Sequence, residues 1–365
     1  MAERAHSPAS AGASGTGADL SGASIHGGPD AAGVPLHDFS TNSNACGPCP
    51  PALLAVQQAD STRYPDPAYT RLRQALAALH GVVADRIVVM GSASEGIHRL
   101  TALAAQQGMG QVVLPPYSYG DYAQAAQARG LAVLRRADGA TAGLNAALHW
   151  ACEPASPTGR DDAALARWLE VPAPGGSLRV VDCAYRPLLL EDTLPTTLAG
   201  DVWQLWSPNK ALGLTGVRAA YAIAPAGEGA AAQVQALLAL SPSWPVGAHG
   251  VAMLQAWATA AVQQWVTQCL PTLRAWKARQ LALCQRWGWA VVPGSLANYF
   301  VAALPVSHTG GADRVLTDLR QHGIKLRDCT SFGLHGHVRL GVLPPASQDA
   351  LDAAWQQVAD AAARS

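Results

Sequence analysis

The sequence predicts an α/β protein, with a larger lobe on a mostly parallel sheet covered by helices and a smaller α+β lobe after it. Three observations carry this expectation. Short continuous apolar runs alternate with helix-length patterns through the middle of the chain, as strands buried on both faces of a parallel sheet do. The rhythm changes near the C-terminus to strand, helix, strand, helix, which suits a separate α+β unit. The chain has 365 residues, 49% hydrophobic and 14% charged, so it can bury a large core.

The elements follow in order. Residues 1–34 are Ala, Gly and Ser with little else; such a segment buries too little apolar surface to offset its ordering entropy and is expected as a disordered tail. Residues 35–60 are expected as an N-terminal arm on the small-lobe side, 61–245 as the large lobe, and 246–365 as the small lobe with its connecting helices. Arg86-Ile87-Val88-Val89-Met90 reads as a strand, and Gly91-Ser92 then opens a helical pattern. Gln111-Val112-Val113-Leu114 is a strand stopped by Pro115-Pro116. Three more runs follow: Leu178 to Asp182, Val202 to Trp206 and Arg218 to Ile223. In the last part, Asn298 to Ala302 and His337 to Val342 read as strands. Between them Val315, Leu316 and Leu319 mark a helix that ends at Gly323. Leu351, Trp355 and Val358 share one face of a closing helix.

Composition excludes several classes. The formal net charge is zero, with no basic stripe or polybasic run, so nucleic acid and acidic membranes are not expected partners. No apolar stretch is long enough to span a bilayer and no secretory signal is visible. Seven scattered cysteines, an odd number, fit a reducing cytoplasm better than a disulfide framework. The spacing Cys46-Gly47-Pro48-Cys49 occurs in thiol redox sites, but Pro50-Pro51 follows at once and no second Cys pair exists for zinc. His335 and His337 face one side of a strand without a third ligand in view, so no metal site is expected.

The chemistry centres on Ser207-Pro208-Asn209-Lys210, which follows an apolar strand and precedes Ala211-Leu212-Gly213-Leu214-Thr215-Gly216-Val217-Arg218. A lysine at the end of a buried strand is costly unless neutralised, paired or covalently used. With Gly213, Leu214, Gly216 and Arg218, this segment resembles the Ser-x-Ser-Lys-x-x-Gly-Leu-x-Gly-x-Arg motif of the class I and II aminotransferases, with Asn209 in place of the second serine. The likeness is to fold type I, the aspartate aminotransferase-like pyridoxal-5′-phosphate (PLP) fold, in the branch of histidinol-phosphate aminotransferase and threonine-phosphate decarboxylase. It runs from about residue 38 to 345, with several motifs in the family's order.

The resemblance implies a set of roles. Lys210 holds PLP as a Schiff base. Val180-Val181-Asp182-Cys183-Ala184-Tyr185 is similar to Val-Asp-Glu-Ala-Tyr, so Asp182 pairs with the pyridinium nitrogen and keeps it protonated, while Tyr185 hydrogen-bonds the ring's phenolic oxygen. By itself a strand-end Asp is as readily a helix cap. Gly91-Ser92-Ala93-Ser94-Glu95 resembles the phosphate-binding Gly-Ser-Asp-Glu segment; Ala93 and Ser94 would offer backbone N–H groups, completed by Ser207 and Arg218. Pro115-Pro116-Tyr117-Ser118-Tyr119 resembles Pro-Thr-Tyr-Ser-x-Tyr, which makes Tyr117 the residue stacked on the pyridine ring. Tyr64-Pro65-Asp66 resembles a Tyr-Pro-Asp whose tyrosine reaches a neighbour's cofactor phosphate, implying a homodimer. Ser156-Pro157-Thr158-Gly159 stands where the family has Asn-Pro-Thr-Gly, and Cys183 where it has Glu. Asp38 to Asn44 resembles the arm that closes over substrate, placing Asn44 at the substrate, and Arg339 with Arg327 would grip a carboxylate or phosphate.

The expected activity is PLP-dependent transamination of a phosphorylated or carboxylated amine, with a 2-oxo acid as acceptor and Lys210 as general base. The wording Asp38-Phe39-Ser40-x-Asn42 and Arg327-Asp328-Cys329-x-Ser331-Phe332-Gly333 leans toward threonine-phosphate decarboxylases, the alternative activity. A non-catalytic PLP- or partner-binding homologue is the alternative of another class. A nicotinamide enzyme is disfavoured, because no Gly-x-Gly-x-x-Gly opens a helix after a strand.

Overall fold

The computed structural model describes residues 27–136, 146–171, 173, 175–191, 198, 200–305 and 311–364. In chain order the strands are β1 (His37–Asp38), β2 (Ile87–Met90), β3 (Gln111–Leu114), β4 (Ala132–Arg135), β5 (Leu148–Cys152), β6 (Leu178–Asp182) and β7 (Trp203–Trp206). They continue with β8 (Ala220–Ile223), β9 (Ala290–Val291), β10 (Tyr299–Ala303), β11 (Ile324–Lys325), β12 (Arg327–Asp328) and β13 (His337–Gly341). The helices are α1 (Pro50–Gln57), α2 (Thr70–His80), α3 (Ala93–Gln106), α4 (Gly120–Gln127) and α5 (Ala163–Glu170). After them come α6 (Ala230–Ala239), α7 (Ala248–Trp257), α8 (Ala260–Arg286), α9 (Gly311–Gln321) and α10 (Pro345–Arg364).

Seven strands form one sheet in the order β2-β8-β7-β6-β5-β3-β4. β8 pairs antiparallel with β2 and β7, and the other neighbours are parallel. Successive side chains of a strand point to opposite faces, and here both faces are apolar. Ile87 and Val89 of β2 join a core with α2, α7 and α8, whereas Val88 and Met90 join one with α3 and α4. This is why the strands read as continuous apolar runs rather than alternating ones.

The second lobe is a four-stranded sheet, β12-β13-β10-β9, packed on a core with Val315 and Leu319 of α9 and Leu351, Trp355 and Val358 of α10. α8 links the two lobes: Val262, Val266, Cys269 and Leu273 sit in the large-lobe core and Cys284 in the small-lobe core. Its 27 residues span roughly 40 Å. α7 and the first half of α8, within the stretch expected to connect the lobes, thus pack on the large lobe. β1 pairs with β11, so the arm starts on the small-lobe side.

Of the expected tail, residues 1–26 lie outside the described residues. Residues 27–34 are tied to the folded body, which corrects the expectation for that stretch. Gly28 N–H donates to Ser40 Oγ at 2.9 Å, and Asp30 pairs with Arg320 at 3.0 Å and Lys325 at 2.8 Å. Those two cations hold the Asp30 carboxyl well below the usual range, Arg320 contributing most. The attachment is ionic, and apolar composition does not reveal it.

Two strands of the seven-stranded sheet escaped the sequence reading. β4 is an edge strand with exposed ends, and β5 is Leu-His-Trp-Ala-Cys, whose residues include no β-branched side chain to signal a strand.

Candidate active site

The carboxyl ends of β5, β6 and β7, the N-termini of α3 and α4, the arm and the β12–β13 edge enclose one cavity of about 610 Å³. Ligand sites of open α/β sheets form at this end. Asp182 is the last residue of β6 and is buried. Its Oδ2 accepts from Tyr122 Oη at 2.8 Å and its Oδ1 from Ala184 N–H at 2.9 Å. Burial pushes its carboxyl up from the usual value; the nearby Lys210 charge and these hydrogen bonds pull the other way.

Lys210 follows β7 by a turn and lines the same cavity. Its Nζ lies 4.6 Å from the centre of the Tyr185 ring. The Lys210 carbonyl accepts from Asn44 N–H at 2.9 Å, so the arm braces the lysine segment. Gly213 makes this approach possible: its φ is +67° and a Cβ there would lie 2.7 Å from the Gly47 carbonyl oxygen.

At the start of α3, Ser92 Oγ accepts from Glu95 N–H at 3.0 Å and caps the helix. Glu95 is held in turn by Arg99 at 2.6 Å. First-turn N–H groups have no partner within a helix, and Ala93 and Ser94, which carry two of them, line the cavity beside Ser207 and Arg218. Ser207 Oγ is buried without a hydrogen-bond partner. A helix N-terminus, a buried unpartnered hydroxyl and an arginine make an anion cup, which fits a cofactor phosphate.

Arg327 and Arg339 are directly opposed on β12 and β13, and both are buried. Their guanidinium carbons lie 4.7 Å and 5.7 Å from the centre of one Phe332 ring. Arg339 donates to Ser156 Oγ at 3.1 Å and to the Ser40 carbonyl at 3.0 Å, while its Nε has no partner. Arg327 donates to Ser331 Oγ at 2.8 Å. Burial, then the like charge of Arg339, lowers the Arg327 pKa. Two buried cations side by side favour an anionic ligand between them.

Lys210, Asp182, Tyr185, Ala93, Ser94, Ser156, Ser207, Arg218, Arg327 and Arg339 therefore meet at one cavity. Three expected site residues do not. Tyr117 is 41% exposed and outside the cavity lining; Tyr119, which immediately precedes α4, lines it instead, its hydroxyl 3.4 Å from Ser94 Oγ. The start of α4 sets which of these tyrosines lines the cavity. Asn44 is spent on structure: its Nδ2 donates to the Ala211 carbonyl and its Oδ1 accepts from Cys46 N–H. Asn42 lines the cavity, 1% exposed, with neither amide atom partnered. Tyr64 lies at the surface, 78% exposed, stacked on Trp244 at 4.5 Å. Sequence reading also passed over Asp121, Tyr122 and Phe332 in the lining. Tyr122 was in principle legible from the Tyr-Gly-Asp-Tyr spacing at a helix start.

Cys46 and Cys49 are free, with Cys49 buried at the start of α1. Among the described residues no group of three or more His, Cys, Asp or Glu side chains could hold a metal, and no helix is long and apolar enough to cross a membrane.

Comparison with known proteins adds to this geometry. Residues 35–358 match the family described as aminotransferase class I and II. The chain is 29% identical over 338 residues to the histidinol-phosphate aminotransferase of Symbiobacterium thermophilum, covering 85% of this chain and 88% of that protein. Histidinol-phosphate aminotransferase from Sinorhizobium meliloti, solved in complex with PLP, superposes with a TM-score of 0.74 at 23% identity, over 88% of this chain and 90% of that one. L-threonine-O-3-phosphate decarboxylase from Porphyromonas gingivalis gives a TM-score of 0.71 at 20% identity, over 88% and 99%. These two superpositions speak for the fold.

Proposed function

Since the chain belongs to the class I and II aminotransferases, whose cofactor is PLP, we propose that it moves an amino group from a phosphorylated or carboxylated amine to a 2-oxo acid. One observation carries the reading: Lys210, the buried Asp182 carboxylate and an anion cup lie around a single cavity that also holds two adjacent buried arginines. Bound PLP supplies an electron-accepting ring that allows a bond at the substrate Cα to break.

The chain's own residues do the rest. Lys210 Nζ is the amine that tethers the cofactor, and it takes and returns the Cα proton. Asp182, anchored by Tyr122 and Ala184, holds a proton at the ring nitrogen. Ala93, Ser94, Ser207 and Arg218 bind the phosphate, and Tyr119 replaces Tyr117 as the aromatic wall. Tyr185 donates to the phenolic oxygen, with Ser156 in the place of the family's Asn. Arg339 and Arg327 grip the substrate's anionic groups, and Asn42 faces the same space. Tyr64 serves the neighbouring subunit of a homodimer, its surface exposure supporting such a reach. Seven unpaired cysteines support a cytoplasmic setting.

A second reading, threonine-phosphate decarboxylation, is supported by the Asp38-Phe39-Ser40-x-Asn42 wording of the arm, whose Ser40 carbonyl receives Arg339. The two activities would differ in which Cα bond, to hydrogen or to the carboxylate carbon, Arg339 and Arg327 orient for cleavage.

Purified protein supplied with PLP is expected to show a visible absorption band. Borohydride treatment followed by peptide mapping is expected to mark Lys210, and Lys210→Ala to lose the band and lower turnover by about 10²–10⁴-fold. Histidinol phosphate and threonine phosphate, each assayed for amino transfer and for CO₂ release, separate the two activities. CO₂ without amino transfer would discard the first, and an unlabelled Lys210 would discard both.

A further inference from the structure

The family pattern has Glu at position 183, and this chain has Cys183 instead. A buried carboxylate is nevertheless close by, just past the end of the neighbouring strand. Glu153, the residue after β5, is 1% exposed and pairs with Arg186 at 2.8 Å. Arg186 immediately follows Tyr185, and Glu153 N–H donates to the Asp182 carbonyl at 3.0 Å. The pair therefore bridges the segment that ends in Ser156 and the segment that carries Asp182 and Tyr185.

A second set of contacts closes a ring. Tyr299 of β10 donates its hydroxyl toward the carbonyls of Pro154 at 3.3 Å and Ala155 at 3.1 Å, just after Glu153. Its ring meets the Tyr185 ring edge-on, with centroids 4.8 Å apart. The path Glu153, Ala155, Tyr299, Tyr185, Arg186 and back to Glu153 encircles one wall of the cavity. Burial raises the Glu153 pKa while Arg186 opposes that rise.

We propose that Glu153 and Arg186 are positioning residues of the proposed PLP reaction: their ion pair fixes the Tyr185 hydroxyl and the Ser156 hydroxyl relative to each other. This rests on the reading above. An apolar pair could fill the same space, and buried ion pairs often contribute little net stability over such a replacement. The pair does set orientation, because a bidentate-capable guanidinium on a short, buried link restricts both segments. It restores a carboxylate to this wall from β5 after its loss at position 183.

The test uses the full chain and three variants, Glu153→Gln, Arg186→Met and Glu153→Gln/Arg186→Met. The double variant leaves no unpaired buried charge and is expected to melt near the wild-type temperature, whereas a single variant alone could fail for lack of folding. Readouts are the PLP dissociation constant, the visible-region circular dichroism of the bound cofactor, and kcat against KM. If the pair positions the wall, the folded double variant still binds PLP about tenfold more weakly, its visible dichroism falls, and kcat drops by up to about 100-fold with KM for the amine little changed. Wild-type values for all of these in the double variant would overturn the proposal. Failure of the wild-type protein itself to bind PLP would instead overturn the functional reading on which it rests.

Discussion

Asn42 and Asn44 stand two residues apart in one arm and do different work. Asn44 uses both ends of its amide within the protein, toward Ala211 and Cys46. Asn42 keeps both ends unpartnered in a cavity. A buried polar group without partners costs free energy, so an unpartnered amide beside two arginines is better understood as a ligand contact than as packing. Asn42→Ala is therefore expected to leave thermal stability unchanged and to raise KM for the amine about tenfold, one lost hydrogen bond being worth roughly 0.5–1.5 kcal/mol. Asn44→Ala is expected to lower the melting temperature. Thermal melts and initial rates of the two variants check the contrast; equal loss of stability in both would contradict it. The same scale separates Tyr117 from Tyr119. Both are aromatic, two positions apart, and only the start of α4 turns one of them inward.

Among elements, the β2–α3 junction shows local chemistry and tertiary need agreeing. Gly91 follows a buried strand and Ser92 caps the next helix. The cap orders the same turn whose N–H groups line the cavity. Ser92→Ala is expected to destabilise the protein by about 1 kcal/mol and to weaken PLP binding, read by urea unfolding and by fluorescence titration with PLP. Loss of stability with unchanged PLP affinity would show that the cap and the phosphate cup are independent. β5 is the opposite case, since its Leu-His-Trp-Ala-Cys sequence carries little strand signal. Its place is set by parallel neighbours on both sides, β3 and β6, and it carries the chain into Glu153 and Ser156.

At the scale of the whole molecule, half-buried His80 and buried His149 couple the fold to pH. His80 and His149 both have pKa values pushed down from 6.5 to about 4, by burial in each case and additionally by Arg136 and Arg179 at His149. The unfolded chain thus binds more protons than the native one across that window. Their contribution is fully present above pH 6.5 and is lost as pH falls toward 4. Urea unfolding is expected to show lower stability at about pH 5 than at about pH 7, and the difference is expected to shrink in His80→Gln/His149→Gln. An undiminished difference in that variant would assign the acid sensitivity to other groups.

Runs such as Val-Val-Leu at 112–114 and Val-Val-Asp at 180–182 signalled the parallel strands from the sequence alone, because burial on both faces leaves no polar alternation to misread. The lysine after β7, the aspartate ending β6 and the arginines near the C-terminus were legible by another route, the resemblance of their motifs to those of the class I and II aminotransferases. Tertiary structure alone decided which of two tyrosines and which of two asparagines enters the cavity, how far residues 27–34 are tied down, and that Glu153 meets Arg186. These outcomes depend on helix starts and on contacts between segments distant in sequence, where a displacement of one residue turns a side chain from solvent to site.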